Sequence, residues 1–452
     1  MSQHLVAFEG QSSGAGELSW GQRIIWGAMC HQRSSLSMGG AYPLTAGESV
    51  ADVAAGLRFL LGRHESLRTR LELAGGGGPR QVVEPAGEVS LDVVEAGGAD
   101  PAAVAAGLVD RYRQAAFDYT REWPVRMGVV TSGGTPTHVA EAYPHLVGDA
   151  FGLAALRADL ANLDLATGGV TAPASAMQPL AQARWQRSPA AQRCTDRALR
   201  YWERQLRGLP GSMFRAPAVP GPARSVHAGY ESQAARRALL AVSARTNVST
   251  SPVLLAAFAV ALARITGDNP VLTQVVVSNR FRPGFATSVS PVNQACLCVL
   301  DVSGITFSEA VARAWHGAMG AYRHAYYDPR QVDDLVDRIG GERGDGINTA
   351  CFFNDRRVRH REEPAGQAAA ASQAGTAGEA RLSWGPAREG GYYDRLFLYV
   401  NDVPGTLSYE LWADPRYLPP GGVEAVLRTM EEVLAEAAAD PAAATRVAPL
   451  AA

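Results

Sequence analysis

The chain has 452 residues, 47% of them hydrophobic and 19% charged, a balance that supports a buried core and excludes wholesale disorder. With 42 basic against 44 acidic residues the formal charge is −2, so no overall positive field exists to hold a nucleic acid or an anionic membrane. Every basic residue is arginine, and the absence of lysine excludes a Schiff-base lysine, a P-loop lysine and a Ser–Lys dyad.

The five cysteines, Cys30, Cys194, Cys296, Cys298 and Cys351, are odd in number and widely spaced, with no CxxC pair, so buried free thiols and no metal site are expected. Residues Met1 to Gly10 lack the basic-then-apolar pattern of a signal peptide. The longest apolar run, Val253 to Ala263, is about half of the ~20 residues a membrane helix needs. A cytoplasmic location and no membrane partner are the expectation.

In chain order, Ser19 and Gln22 form a capping box that starts a helix through Trp26. Thr45 and Glu48 repeat the pattern, and Val50, Val53, Ala54, Leu57, Leu60 and Leu61 recur at helical spacing. Strands are predicted at Leu67 to Leu73 and Gln81 to Glu84, joined by a flexible Gly75 to Gly78 turn. A helix over Pro101 to Ala116 precedes strands at Val125 to Val130 and His138 to Tyr143, and a helix over Phe151 to Leu163 follows. The polar, Ala-rich stretch Thr171 to Gln178 predicts a domain boundary, dividing the chain into 1–172 and 173–452.

In the second part a helix carrying Tyr201 and Trp202 ends at Gly208, and Pro210 to Pro222 holds four prolines. Ser251 and Pro252 predict a helix start and Gly267 its end, followed by a strand over Leu272 to Val277. Further strands are expected at Ala350 to Phe353, Leu396 to Val400 and Leu407 to Trp412, a mobile loop at Pro364 to Gly378, and a last helix over Val423 to Ala437. Helices and strands mix in both parts, and no internal repeat is evident.

Without lysine, histidine is the natural side chain to move a proton near neutral pH. Among nine histidines, His145 has the informative context: it follows the strand ending at Tyr143, and Asp149 comes four residues later at the start of a helix. A His-x-x-x-Asp at a strand-to-helix turn presents an imidazole at the mouth of a sheet, although Asp149 is equally well explained as a helix N-cap. Cys296 and Cys298, two apart on a strand, share one face, and packing explains them better than nucleophilic use.

Three stretches, Leu18 to Trp26, Arg63-His64-Glu65-Ser66-Leu67-Arg68-Thr69-Arg70 and Tyr143 to Ala150, occur in the order and at the distances found in condensation domains of nonribosomal peptide synthetases. The resemblance continues through Tyr201-Trp202, the helix Pro252 to Ile265, Ser278-Asn279-Arg280, Pro291-Val292-Asn293, Asn354 and Asp394-Arg395-Leu396, spanning about residues 17 to 440. It implies a mixed α/β fold of two chloramphenicol acetyltransferase-like lobes, arranged as a V-shaped pseudo-dimer with a tunnel between them. It further implies a free-standing, monomeric condensation enzyme without a bound cofactor. Such an enzyme joins an acyl or aminoacyl thioester, held on the phosphopantetheine arm of a carrier protein, to an amine.

The resemblance also implies roles. His145 is the catalytic histidine. Asp149 holds the loop by pairing with an arginine, Arg280 in first place and Arg68 in second. Asn293, Trp20 and Gly148 fall at tunnel positions, with Trp20 better explained as core. The family's His-His-x-x-x-Asp-Gly reads here with Pro144 for the first histidine and Ala150 for the glycine, and Val289 stands near a further family glycine. An ester-forming acyltransferase of the same superfamily and a non-catalytic module that recruits a tailoring enzyme to a carrier protein are the competing readings.

Overall fold

The computed structural model describes residues 2–73, 78–209, 224–344, 346–357, 380–389 and 395–449. Most of the Gly75 to Gly78 turn, the proline-rich stretch, the Pro364 to Gly378 loop and Asp394 therefore lie outside the described residues. The chain forms two compact units, Met1–Arg193 with Ser278–Asn293, and Cys194–Val277 with Gln294–Ala452.

The first unit runs β1 (Ser2–Glu9), β2 (Gly14–Glu17), α1 (Trp20–Gln32), β3 (Met38–Pro43), α2 (Val50–Arg63), β4 (Thr69–Glu72), β5 (Arg80–Val83), β6 (Ala86–Glu95), α3 (Pro101–Gln114), β7 (Arg126–Ser132), β8 (Thr135–Tyr143), α4 (Ala150–Asp159), β9 (Leu163–Asp164), β10 (Gly169–Val170) and α5 (Pro179–Gln186). Its main sheet has the order β1-β6-β7-β8-β3, parallel only between β6 and β7, and β2-β5-β4 form a second, antiparallel sheet. Leu57, Leu60 and Leu61 of α2 pack with Val6, Leu91, Val129, Leu153 and Leu156, so the predicted apolar stripe is the core face.

The helix α6 (Pro189–Arg207) spans the division between the units. The second unit continues with β11 (Arg224–Ser232), α7 (Gln233–Thr246), α8 (Thr250–Thr266), β12 (Val271–Val277), β13 (Gln294–Leu300), α9 (Phe307–His324), α10 (Pro329–Arg343), β14 (Cys351–Asp355), β15 (Arg381–Trp384), β16 (Arg388–Glu389), β17 (Leu396–Asn401), β18 (Leu407–Ala413) and α11 (Pro420–Ala439). Its mixed sheet has the order β13-β12-β14-β17-β18-β11-β15, with β16 also on β11 and parallel pairing at β12/β14 and β14/β17. Helix α8 is apolar all round and buried from Thr250 to Ala263, which explains the longest apolar run as a core helix. No single helix among the described residues is long and apolar enough to cross a membrane.

Several expectations shift. The division falls at Arg193/Cys194 rather than 172/173, because the polar stretch is tied down: Arg63 donates to the Ala172 carbonyl at 2.9 Å, the Glu65 amide to the Gln178 side chain, and the Met177 amide to Gly284. The second capping box is Ser49 with Asp52; Glu48 instead accepts from the Thr45 amide at 2.7 Å in the preceding turn. Helix α8 starts at Thr250 with Ser249 at the N-cap position, two residues before the expected cap, and Pro252 within the first turn lacks an N–H the helix does not use. Glu65–Arg68 is a 3-10 turn, so that strand begins at Thr69. Helix α4 stops at Asp159, whose carboxylate is taken by Arg63, His64 and Asn162. Cys30 is exposed, whereas Cys296, Cys298 and Cys351 are buried, and burial pushes the Cys298 thiol up to about 12, an inert thiol.

Candidate active site

The Tyr143 to Ala150 segment links β8 to α4 at the edge of the first unit's core. Two contacts anchor it from within: the His145 amide donates to the Ser35 carbonyl at 3.1 Å, and the Val147 amide to Pro144 at 3.0 Å. Leu146 and Val147 are buried and His145 is half-buried, so the turn is fastened by its apolar residues.

The ring's protonation follows from its neighbour. Nδ1 lies 2.9 Å from the Gly148 carbonyl oxygen, which can only accept, so Nδ1 carries the proton and Nε2 keeps its lone pair. Burial pushes the His145 pKa below the ordinary histidine value, with its own backbone, Asp149 and the Gly148 carbonyl pulling the other way. The imidazole is neutral at pH 7 and presents Nε2 as an acceptor.

Asp149 is both cap and anchor. Its Oδ1 accepts from the Gly152 amide at 2.8 Å, closing the first turn of α4, and from Arg280 Nη2 at 2.5 Å; its Oδ2 accepts from the Val292 amide at 3.3 Å. Side-chain exposures of 9% for Arg280 and 7% for Asp149 make this a buried ion pair. Arg280 also donates to the carbonyls of Phe285 and Ser288, at 3.1 and 2.9 Å, so its charge is hydrogen-bonded on both sides. The segment Ser278–Asn293, far away in sequence, is thereby folded over the cap of α4.

Local chemistry explains that loop. Asn279 has φ 56, a left-handed conformation asparagine tolerates, and its side-chain amide donates to the Val292 carbonyl at 3.1 Å. Glycine is required at Gly21 of α1, where a methyl would overlap the Pro291 carbonyl, and a methyl at Gly152 would crowd Arg280 Nη2 at 3.1 Å. Two further ties hold α4: Arg157 on Glu141, itself bonded to the Tyr143 hydroxyl, and Arg63 with His64 on Asp159.

His145, Gly148, Asp149 and Arg280 are thus brought together. Arg68 is not, which corrects the second assignment: fully buried, it donates to the carbonyls of Ser12 and Glu84 and to the Ser12 hydroxyl, stapling the β2-β5-β4 region. Trp20 is 5% exposed, its indole edge-on to Trp185, and is core rather than lining. Gly148 contributes its carbonyl. Asn293 is half-buried, with Oδ1 buried and without a hydrogen-bond partner among the described residues, next to the Val292 amide that Asp149 holds. Ala150 is exposed at the first position of α4, outside the left-handed region, so the missing family glycine causes no strain here. Val289 is buried in the core with Leu153 and Leu156. Gln182, Ser288 and Ser290, a buried polar group beneath the loop, carry no sequence pattern that singles them out.

Among known proteins, the family model of the condensation domain matches residues 23–379. The chain belongs to the condensation domain family. Cyclosporin synthetase simA of Tolypocladium inflatum is 29% identical over 258 residues, 56% of this chain and 2% of that protein. The beauvericin nonribosomal cyclodepsipeptide synthetase of Beauveria bassiana is 29% identical over 302 residues, 64% of this chain and 9% of that protein. The isonitrile lipopeptide synthase of Mycobacterium tuberculosis is 26% identical over 345 residues, 71% of this chain and 13% of that protein. The chain thus spans a small part of the length of these relatives.

Solved structures give the same fold at low identity. The SgcC5 protein of Streptomyces globisporus superposes with a TM-score of 0.72 at 20% identity, covering 95% of this chain and all of that one. The X-domain from teicoplanin biosynthesis gives 0.73 at 18% identity, covering 96% and 97%. The fold of this condensation domain is accordingly the mixed α/β, chloramphenicol acetyltransferase-like one.

Proposed function

We propose that this condensation domain transfers an acyl or aminoacyl group from the phosphopantetheine thioester of a carrier protein to an amine, forming an amide, with His145 as the catalytic residue. The observation that carries the reading is the neutral imidazole whose Nδ1–H is committed to Gly148 and whose Nε2 is left as an acceptor.

In this mechanism the amine nitrogen attacks the thioester carbonyl carbon, a C–N bond forms and the C–S bond breaks. The nitrogen sheds a proton as it attacks, and Nε2 receives it. The departing sulfur takes it back as a thiol, so the ring ends as it began. General-base assistance is worth roughly 10²–10⁴-fold, whereas holding two reactants in line lowers a barrier by about 7–11 kcal/mol. Asp149 and Arg280 touch no substrate in this scheme; they hold the turn that aims the ring.

The test uses the chain with acyl-loaded carrier proteins, a panel of amines and alcohols, and mass spectrometry of the products. Amide formation that falls about 10²–10⁴-fold in His145→Ala is expected. Undiminished turnover in that variant removes His145 from the mechanism, and product from alcohols alone replaces the amide by an ester. A second reading, a non-catalytic module recruiting a tailoring enzyme, draws on Pro144 and Ala150 in the motif. Carrier binding without any transfer product would favour it.

A further inference from the structure

Beneath the active-site turn lies a polar group that the proposed mechanism does not use. Gln182, on α5, is 1% exposed, and Ser288 and Ser290 are fully buried. The Gln182 side-chain nitrogen lies 2.7 Å from both serine hydroxyls and 2.9 Å from the Met177 carbonyl, and Ser290 Oγ donates to Gln182 Oε1 at 3.1 Å. The two hydroxyls are 3.0 Å apart, and Ser288 Oγ donates to the Met177 carbonyl at 2.8 Å. Burying an amide and two hydroxyls is unfavourable unless all are bonded, and here all are.

These two serines also act through their backbone. The Ser288 and Ser290 carbonyls accept from Arg280, at 2.9 and 3.4 Å, on the guanidinium that holds Asp149. Between β12 and β13 the segment Ser278–Asn293 contains no strand or helix, so no ladder fixes those carbonyls. Gln182 bridges the two side chains that orient them. From there the path is short: Arg280 places Asp149, Asp149 caps α4, and the residue before Asp149 supplies the carbonyl that accepts the His145 Nδ1–H.

We propose that Gln182 is a positioning residue of the site, acting through Ser288, Ser290 and Arg280 on Asp149 and so on the hydrogen bond that fixes the His145 tautomer. Its kinetic consequence rests on the acyl-transfer reading; its spectroscopic consequence does not.

The experiment compares the whole chain with Gln182→Met, which keeps volume and removes the hydrogen bonds, and with the milder Ser290→Ala. Long-range ¹H–¹⁵N NMR reads the His145 ring nitrogens, assigned by the signals lost in His145→Ala, and kinetics with a loaded carrier protein read kcat and KM. The expected result is a mixed tautomer at His145, with kcat down about 10–100-fold and KM for the carrier within about threefold, the size of effect a misplaced group produces. A folded variant with lowered Tm but an unchanged His145 spectrum overturns the proposal, since a merely structural glutamine behaves so. Should Gln182→Met not fold, the same two readouts on Ser290→Ala decide. A shifted tautomer in the variant, with no acyl-transfer product even from the parent chain, upholds the positioning role and removes the acyl-transfer reading.

Discussion

The two units solve the same packing problem differently. In the second unit one continuous apolar cluster surrounds α8, with Val253, Leu254, Phe258 and Leu262 buried against both the sheet and the neighbouring helices. In the first unit, most of the buried apolar side chains among the described residues fall into three smaller clusters. Buried polar ties lie around them: Arg280 on Asp149, Gln182 on the serines, Arg63 and His64 on Asp159, Arg68 on backbone carbonyls. An apolar core is non-directional and tolerates small shifts, whereas buried hydrogen-bonded charges fix one geometry. The second unit has buried polar ties of its own, Arg357 on Asp355 and on Thr250, but those of the first unit include the ones that hold the turn carrying His145.

That contrast can be broken first by pairing two severe substitutions. Phe258→Ala should lower stability by about 3–5 kcal/mol in urea denaturation while the pH dependence of any remaining activity stays where it was. Arg280→Met should lower it by a similar amount, about 3–5 kcal/mol, because Asp149 is left buried without its partner, and should abolish transfer as well. Equal catalytic damage from both would show that the first unit's polar ties have no special role.

Gly21→Ala comes next. The added methyl meets a carbonyl rather than a flexible side chain, so a loss of about 1–3 kcal/mol with a rise in KM or a fall in kcat is expected, read by thermal unfolding and steady-state kinetics.

The pH dependence sharpens the comparison. Burial holds the folded-state His145 pKa below its unfolded value, so the unfolded chain binds the extra proton first. The contribution is fully present above the ordinary histidine pKa and is lost as pH falls through the depressed one. The acid limb of kcat/KM should therefore lie below the ordinary histidine value. In Asp149→Asn it should move lower still, since the carboxylate that favours the imidazolium is gone, together with a reduced thermal stability from the broken ion pair; an acid limb above about pH 6.5 in the parent protein would contradict the neutral-base geometry. The smallest effect belongs to Ala150→Gly: less than about 1 kcal/mol and activity within a few-fold, because the exposed alanine already sits in an unstrained first turn.

Much of this was legible along the chain. The Ser19 capping box, the α2 stripe, the end of α8 at Gly267 and the last helix follow from local rules, because caps, periodicity and left-handed glycine act within a few residues. His145 and Asp149 were legible as a pair for the same reason, and Arg280 because it stands beside Asn279 in a recognised motif. Arg68 stands in an equally good motif and serves elsewhere: nothing local distinguishes an arginine that meets a carboxylate 131 residues away from one that meets the carbonyls of Ser12 and Glu84 beside the β2-β5-β4 sheet. The polar stretch before Gln182 reads as a linker by composition and is held to the first unit by hydrogen bonds that composition does not record.

The sequence by itself determined which residues are candidates for proton chemistry, where most helices begin and end, and the family, since these depend on residue type and short spacings. Only the tertiary structure decided which arginine closes on Asp149, that Ser278–Asn293 returns to the first unit, and that Gly148 sets the tautomer of His145. Those are directional contacts between segments far apart in the chain, and their selection rests on the distance and angle between groups that folding alone brings together.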